Sequence, residues 1–298
     1  MKIAQFAHED HNHIGIVTDF GLLDFSRAHQ AQQLIQHGDE SPQLITDMVE
    51  LMKAGLFSAE TFQSTMMFVF EHHLNGAFTV TDPTLRTPIA QPGKLIALGG
   101  NYSHPGEEDP DEPPLFFKPT SSIIGPGEPI VFRRGLNVVE PEIELTVIIG
   151  KEGSHIARED ANEYVAGYTL LNDVTARDLQ NVAFEVQRPW SYTKGVDTFT
   201  PIGPHVVLPG AVSDPHNLAM TMRVNGEEIE HANTNTMLFQ VPVLIEYISQ
   251  YMRLEPGDMI ATGTPVHPPG LKVGDTVELE IDEIGVLSNP VVADKEDG

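Results

Sequence analysis

The sequence predicts a β-rich α+β protein in two parts, and three observations carry that expectation. After residue 93, short apolar segments alternate with Gly/Pro turns: KLIALGG, PLFFKP, EPIVF, EIELTVIIG, YVAGYTLLND, GPHVVLPG, LAMTMRVNG, GDMIATGTP and GDTVELEI. That texture is strands joined by tight turns. One clear helix, Val241 to Tyr251, interrupts them. Around residues 80–93 the run TVTDPTLRTPIAQPGK places three prolines in a short span, which marks a linker or boundary. The division is a small α/β N-terminal domain over residues 1–90 and a larger β-rich domain over 91–298.

Residues 1–20 read as a hairpin with strands Lys2–Ala7 and Gly15–Thr18 and a polar tip, HEDHNH. His8, His11 and His13 have metal-like spacing, but no carboxylate or thiolate framework surrounds them, so a solvated, His-rich turn is the expectation. Residues 41–55 read as a helix: Ser41 and Pro42 give the start, Leu44, Ile45, Met48, Leu51 and Met52 share a face, and Gly55 is the stop. A second helix covers Ser58 to about His72, with His72 and His73 at its end.

Composition removes several classes of function. The 298 residues carry 17 Lys+Arg against 43 Asp+Glu, a net charge of -26. Such a surface repels phosphate backbones and anionic membranes, so neither nucleic acid nor membrane is an expected partner. There is no cysteine, which excludes disulfides, thiolate nucleophiles and cysteine-based metal sites. No apolar run approaches a membrane span, and the start does not read as a signal peptide. A soluble cytoplasmic protein is the expectation.

Two stretches hold the chemistry-bearing side chains. In VEPEIELTVIIGK, Glu142 and Glu144 are two residues apart, which on a strand puts both carboxylates on one face and Ile143 and Leu145 on the other. Like charges side by side on an apolar strand are costly unless a cation or a proton sits between them; a solvent-facing acidic ladder is the alternative. In GYTLLNDVTARDLQ a strand ends at Asp173 and a helix begins near Thr175. Arg177 and Gln180 then fall near Asp173 on one helical face, while Asp173 alone also reads as a helix cap. Asp178 is structural. Together Glu142, Glu144 and Asp173 offer three hard oxygen ligands, which suits Mg²⁺ or Mn²⁺ with open positions rather than zinc. Arg177 and Lys194 have the chemistry to hold an anionic substrate against that ion.

The segments GGNYSH, LFFKPTSSIIGPGEPI, EPEIELTVIIGK, GYTLLNDVTARDLQ, SYTKGVDTFTPIGP, MRVNGEEIEHANTNTMLF and GDMIATGTP, in this order, resemble the fumarylacetoacetate hydrolase family over nearly all of residues 94–290. The resemblance implies a mixed β-sandwich roll with a metal at its mouth, a small N-terminal domain of the longer members, and a homodimer. Residue by residue it implies metal ligands at Glu142, Glu144 and Asp173, and substrate contacts at Arg177, Gln180, Gly263 and Thr264. It also implies a catalytic lysine at Lys194 and a base dyad at His104 and Glu107. NYSHPGEED departs from the family pattern: one residue separates Tyr102 from His104 where the family usually has two.

The implied activity is metal-dependent hydrolysis of a C–C bond in an acylpyruvate-type 2-oxo or β-diketo acid. The metal polarises the 2-oxo unit, and His104, oriented by Glu107, takes a proton from the attacking water. The same site suits the alternatives, isomerisation of an unsaturated 2-oxo diacid (a 2-hydroxyhepta-2,4-diene-1,7-dioate) or decarboxylation of oxaloacetate, because all pass through an enolate. A non-catalytic metal-binding protein is a further reading; it leaves Lys194, Arg177, Gln180 and Thr264 without a purpose. Lys118 of FFKP is either near the site or a strand-end lysine. Trp190 and Tyr192 are either pocket wall or ordinary aromatics, His267 is a mouth candidate, Asp197 turns a loop, and His231 is a polar loop residue.

Overall fold

The computed structural model describes residues 1–8, 11–36, 38, 40–103 and 108–295. A twelve-stranded mixed sheet dominates, and its order explains where the site lies. From one edge run Thr79–Val80, Gly21–Asp24, His11–Thr18 and Lys2–His8; then come Thr200–Val207, Val165–Asn172, Ile143–Ile149, Met259–Ala261, Leu95–Leu98 and Leu115–Phe117. The N-terminal meander is therefore hydrogen-bonded into the main sheet, with Lys2 opposite Val207 and Ile3 opposite Val206. A five-stranded sheet, ordered Glu227–Asn233, Ala219–Val224, Thr276–Ile281, Gly285–Ala293 and Ile130–Phe132, packs against it.

All seven residues of Ile143–Ile149 are buried, as expected for a strand covered on both faces. Leu145, Val147 and Ile149 join Met220, Leu279 and Leu287 of the second sheet in one apolar cluster that also takes in Leu244 and Ile248 of the Val241–Tyr251 helix. Ile148 faces the other way, into a cluster with Phe25, Leu51 and Phe62 of the N-terminal helices. The two-residue period thus assigns Glu144 to the face opposite Leu145.

The N-terminal segment differs from expectation in three places. The hairpin strands are longer, Lys2–His8 and His11–Thr18, and His13 is buried rather than solvated; its Nδ1 lies 3.0 Å from the buried Asp24 carboxylate. The helix expected over 41–55 is confined to Met48–Lys53, capped by Asp47, which accepts from the Glu50 amide at 2.9 Å. Side chains hold the preceding backbone out of a helix: Gln30 donates to the Pro42 carbonyl at 2.9 Å and Gln5 to that of Thr46 at 2.6 Å. A helix over Phe25–Gln36 went unrecognised because its inner face is polar. Ser26, His29 and Gln32 are buried; Thr65 donates to Gln32 at 2.8 Å and the Ile14 amide to Ser26 at 2.9 Å. The Ala59–Glu71 helix matches expectation, with Ser58 accepting from Thr61 and His72 at the C-cap. Two long strands, Glu227–Asn233 and Gly285–Ala293, are added to those legible in the sequence, so His231 lies on an exposed strand position, 3.2 Å from Thr221, not in a loop.

One buried histidine gives a pH-dependent stability. Burial pulls the His205 imidazole down to about 4 from its ordinary 6.5, although its Nε2–H donates to the Ile284 carbonyl at 2.5 Å. The ring stays neutral in the folded chain, whereas the unfolded chain takes up a proton below pH 6.5. Its full contribution is therefore present above that pH and is lost as the pH falls toward 4, by about 3 kcal/mol for a shift of this size. Denaturant unfolding of the wild type and His205→Gln across this range checks it: the variant is expected to show the shallower decline.

Candidate metal and substrate site

Strand register brings the acids together. Ile143 pairs with Asn172 and Glu144 with Leu171 in antiparallel fashion, so the start of one strand meets the end of its neighbour. The Asp173 amide donates to the Glu142 carbonyl at 2.9 Å, and the Glu142 amide to Asn172 Oδ1 at 2.9 Å. On the other side, Thr146 pairs with Ala261, and the chain running on from that strand delivers the Gly263 amide to Glu144 Oε2 at 2.8 Å. The result is three buried carboxylates, Glu142, Glu144 and Asp173, offering oxygens that all lie within 4.8 Å of one another. The exposed acidic ladder and the helix-capping role of Asp173 both fall away: Asp173 is fully buried, and Ala176 stands at the N-cap of the Arg177–Glu185 helix.

Cations surround the triad. Lys194 Nζ donates to Asp173 Oδ2 at 2.6 Å and to Glu142 Oε2. Lys118 Nζ donates to Asp173 Oδ1 at 2.5 Å and to the Lys194 carbonyl. Arg177 bonds Glu142 Oε1 and Glu140 Oε2, each at 2.6 Å, and also Gln180 Oε1. Arg177 holds Glu142 in place and also lines the cleft. Gln180 is buried on the same helical face and borders the cleft.

The two lysines titrate in opposite directions for a visible reason. Burial opposes the charge on Lys194, yet the carboxylates of Asp173, Glu142 and Glu144 hold its ammonium above the ordinary range. Burial wins at Lys118, which has one ion pair and lies beside Lys194, so its amine is lowered. Glu144 is pushed well above the usual carboxylate range by burial and by Asp173. Asp173 is held below its usual value: burial raises it, but the combined pull of Lys118 and Lys194 prevails.

The residues fit a divalent cation. Glu144 Oε1 is sealed from solvent and has no hydrogen-bond partner among the described residues. A buried, unpaired carboxylate oxygen is costly unless a cation or a proton meets it, and three hard oxygens suit Mg²⁺ or Mn²⁺. The triad edge opens onto a cleft of about 290 Å³ with Glu142, Arg177, Gln180, Lys194 and Thr264 on its polar side and Leu98, Pro114, Phe184 and Trp190 on its apolar side. His267 also borders it, whereas Tyr192 is exposed. Thr264 Oγ1 is buried and has no hydrogen-bond partner among the described residues, and it borders the cleft. The Gly263 amide is already engaged by Glu144; its φ of +87° and a Cβ clearance of only 3.1 Å to Asn101 require glycine there.

His104 and Glu107 lie outside the described residues. Asp178 accepts from the Asn137 amide and side chain at 2.9 and 3.0 Å, and Asp197 is exposed near Arg133, both structural. Lys118 and Glu140 are the site residues that sequence reasoning underweighted or missed. The signal for Lys118 was a lysine closing an apolar strand in a chain with few cations; that for Glu140 was a third acid in VEPEIE. A larger cleft, about 710 Å³, lies at the far end of the Ile143–Ile149 strand, bordered by Val49, Lys53, Gly150 and Pro256. Size alone does not select the chemical site: the three-carboxylate group is at the smaller cleft.

Comparison with known proteins identifies the family. Human mitochondrial oxaloacetate tautomerase FAHD2A is 43% identical over 223 residues, covering 71% of this chain and 70% of that protein. An uncharacterized protein of Pyrococcus abyssi is 46% identical over 208 residues, covering 68% and 92%. Maleylpyruvate hydrolase from Sphingobium sp. SYK-6, solved with manganese(II) and pyruvate, superposes with a TM-score of 0.76 at 30% identity, covering 99% of this chain and 100% of that one. The 5-carboxymethyl-2-hydroxymuconate delta-isomerase of Mycobacterium smegmatis gives 0.74 at 29% identity, with coverage of 99% and 100%. The family model for the fumarylacetoacetate (FAA) hydrolase C-terminal region matches residues 92–292, and the chain belongs to the fumarylacetoacetate hydrolase family.

Proposed function

We propose that this enzyme uses a divalent ion, Mg²⁺ or Mn²⁺, to interconvert the keto and enol forms of a short 2-oxo diacid of the oxaloacetate type. The observation that carries the reading is the buried carboxylate triad, with Glu144 Oε1 unpartnered, at the edge of a cleft of about 290 Å³. Relatives 40–43% identical to this chain are named oxaloacetate tautomerases, which supports the choice of reaction. Held by Glu142, Glu144 and Asp173, the ion supplies Lewis-acid polarisation of the 2-oxo group.

The chain's own residues do the rest. Lys194, kept protonated by three carboxylates, offers N–H donors where negative charge develops. Thr264 Oγ1 donates to the substrate carboxylate, and Gln180, whose carbonyl end accepts from Arg177, offers its amide N–H groups. Arg177 and Lys118 act through the acids they grip. His104 and Glu107 are the proposed base pair for the proton at C-3.

The second reading is C–C bond hydrolysis of an acylpyruvate, in which His104 takes a proton from water instead. The superposition on maleylpyruvate hydrolase favours it. One experiment separates the two. Purified protein with Mg²⁺ is expected to accelerate the decay of enol-oxaloacetate absorbance, to lose that activity with EDTA, and to release no pyruvate. Consumption of acetylpyruvate with no effect on oxaloacetate would transfer the assignment to hydrolysis; pyruvate released from oxaloacetate would mean decarboxylation. We also propose a cytoplasmic homodimer whose N-terminal domain spans residues 1–90 and catalytic domain 91–298, testable by light scattering and limited proteolysis. Among the described residues, no helix is long and apolar enough to cross a membrane.

A further inference from the structure

We infer that Trp190 is the specificity wall of the cleft and limits the length of 2-oxo acid that it accepts. This rests on the proposed binding of a 2-oxo acid at Lys194 and Thr264. Trp190 is the chain's one tryptophan and borders the cleft beside Phe184. Its ring meets Phe116 edge-on at 4.8 Å and Phe184 at 5.7 Å. The ring also lies against the Gly99 backbone, where an added Cβ would come 3.4 Å from Cη2 and 3.7 Å from Cζ2. The indole therefore spans the gap between the Gly99–Gly100 turn and the Arg177–Glu185 helix.

The local backbone makes that wall firm. The helix ends in a reversal in which the Arg188 amide donates to the Ala183 carbonyl at 2.8 Å and the Gln187 amide to that of Phe184 at 3.1 Å. Gln187 takes the left-handed conformation, φ 51°, at the position where such an ending requires it. The returning chain is pinned again where Thr193 donates to the Trp190 carbonyl through its amide at 2.9 Å and its hydroxyl at 2.7 Å. Four residues after Trp190, the same short turn presents Lys194 to the carboxylates. Wall and lysine thus share one support, and the reach from Lys194 to the indole sets the room available. A substituent that outgrows that room meets an indole held by Phe116, Phe184 and the Gly99 backbone.

The test uses the full chain with Mg²⁺ and a series of straight-chain 2-oxo acids: pyruvate, 2-oxobutyrate, 2-oxohexanoate and 2-oxooctanoate. Binding is read by titration calorimetry, and in the wild type also by quenching of the single tryptophan. Wild type is expected to bind the two short acids about tenfold or more tighter than 2-oxooctanoate, a discrimination within reach of pocket shape. Trp190→Ala is expected to bring 2-oxooctanoate to within about threefold of pyruvate, and Trp190→Phe, which keeps a smaller aromatic wall, to fall between. Thermal midpoints confirm that each variant folds; should Trp190→Ala not fold, Trp190→Phe carries the decision. Length selectivity unchanged in the variants overturns this inference alone. Failure of the wild type to bind oxaloacetate, run beside the series, as well as every acid in it overturns the functional reading and the inference with it; binding of oxaloacetate alone overturns the inference.

Discussion

Glu144→Gln is expected to lower metal-dependent turnover by about 10³-fold or more, since the ion's charge stabilisation is worth several kcal/mol, while leaving the metal-free protein no less stable. Glutamine keeps an oxygen for the Gly263 amide, now held by Glu144 Oε2 at 2.8 Å, but removes a charge that burial and Asp173 both oppose. The folded carboxyl titrates well above its ordinary 4.5. It therefore costs the metal-free fold nothing below pH 4.5, and a stability contribution is lost as the pH rises through its folded value. At pH 8 the metal-free variant is expected to melt at or above the wild-type temperature, with no such difference at pH 4. Added Mg²⁺ should raise the wild-type midpoint and not that of the variant. Retention of Mg²⁺-dependent turnover within about tenfold of wild type would sink the metal assignment.

Lys118→Met is expected to produce the largest loss of stability of any single change at the site, about 3 kcal/mol, because it takes away one of the two ammonium partners of a fully buried carboxylate. Lys118 and Asp173 side chains are both fully buried. Only Lys194 would remain on Asp173, and the Lys194 carbonyl would lose the donor that fixes its turn. The wild-type Asp173 carboxyl titrates below its ordinary 3.8, so its contribution is present above that value and disappears as the pH falls through the folded one. The variant should therefore show a flatter acid limb. Metal affinity is expected to fall about 10–100-fold, as for other residues that orient a ligand from behind. Denaturant unfolding and Mg²⁺ titration followed by calorimetry check both; an unchanged unfolding midpoint would show that the pair contributes little.

What could be read from the sequence divides along physical lines. Strands between tight turns declare themselves by apolar runs and Gly/Pro punctuation, and Ile143–Ile149 and Val165–Asn172 lie where those signals put them. The acids at their ends follow from the period of two. The Phe25–Gln36 helix hides because hydrogen bonds, not apolar contacts, satisfy its inner face. The helix expected from Ser41 fails because Gln5 and Gln30 reach in from elsewhere in the chain, an interaction that no local pattern announces. The role of Lys118 hides for the same reason: its partner Asp173 lies 55 residues away in sequence. The wall built by Trp190 is a product of tertiary packing, with Phe116 and Gly99 supplied from segments far away in sequence.

The pairing of Lys2 with Val207 carries a consequence for biogenesis. During synthesis Lys2–His8 emerges well before Thr200–Val207, its partner on one side. The hairpin to His11–Thr18 is local and closes early, and Thr84–Arg86 then covers Gln5 to Ala7 on the other flank, leaving the Lys2 and Ile3 end of that flank an unsatisfied edge until Val206 and Val207 arrive. A nascent chain in that condition invites chaperone capture or mispairing between neighbours on one message. Slower translation before residue 207 would lengthen the exposure, and refolding yield should fall with protein concentration more steeply than it would for a fold closed by neighbouring strands.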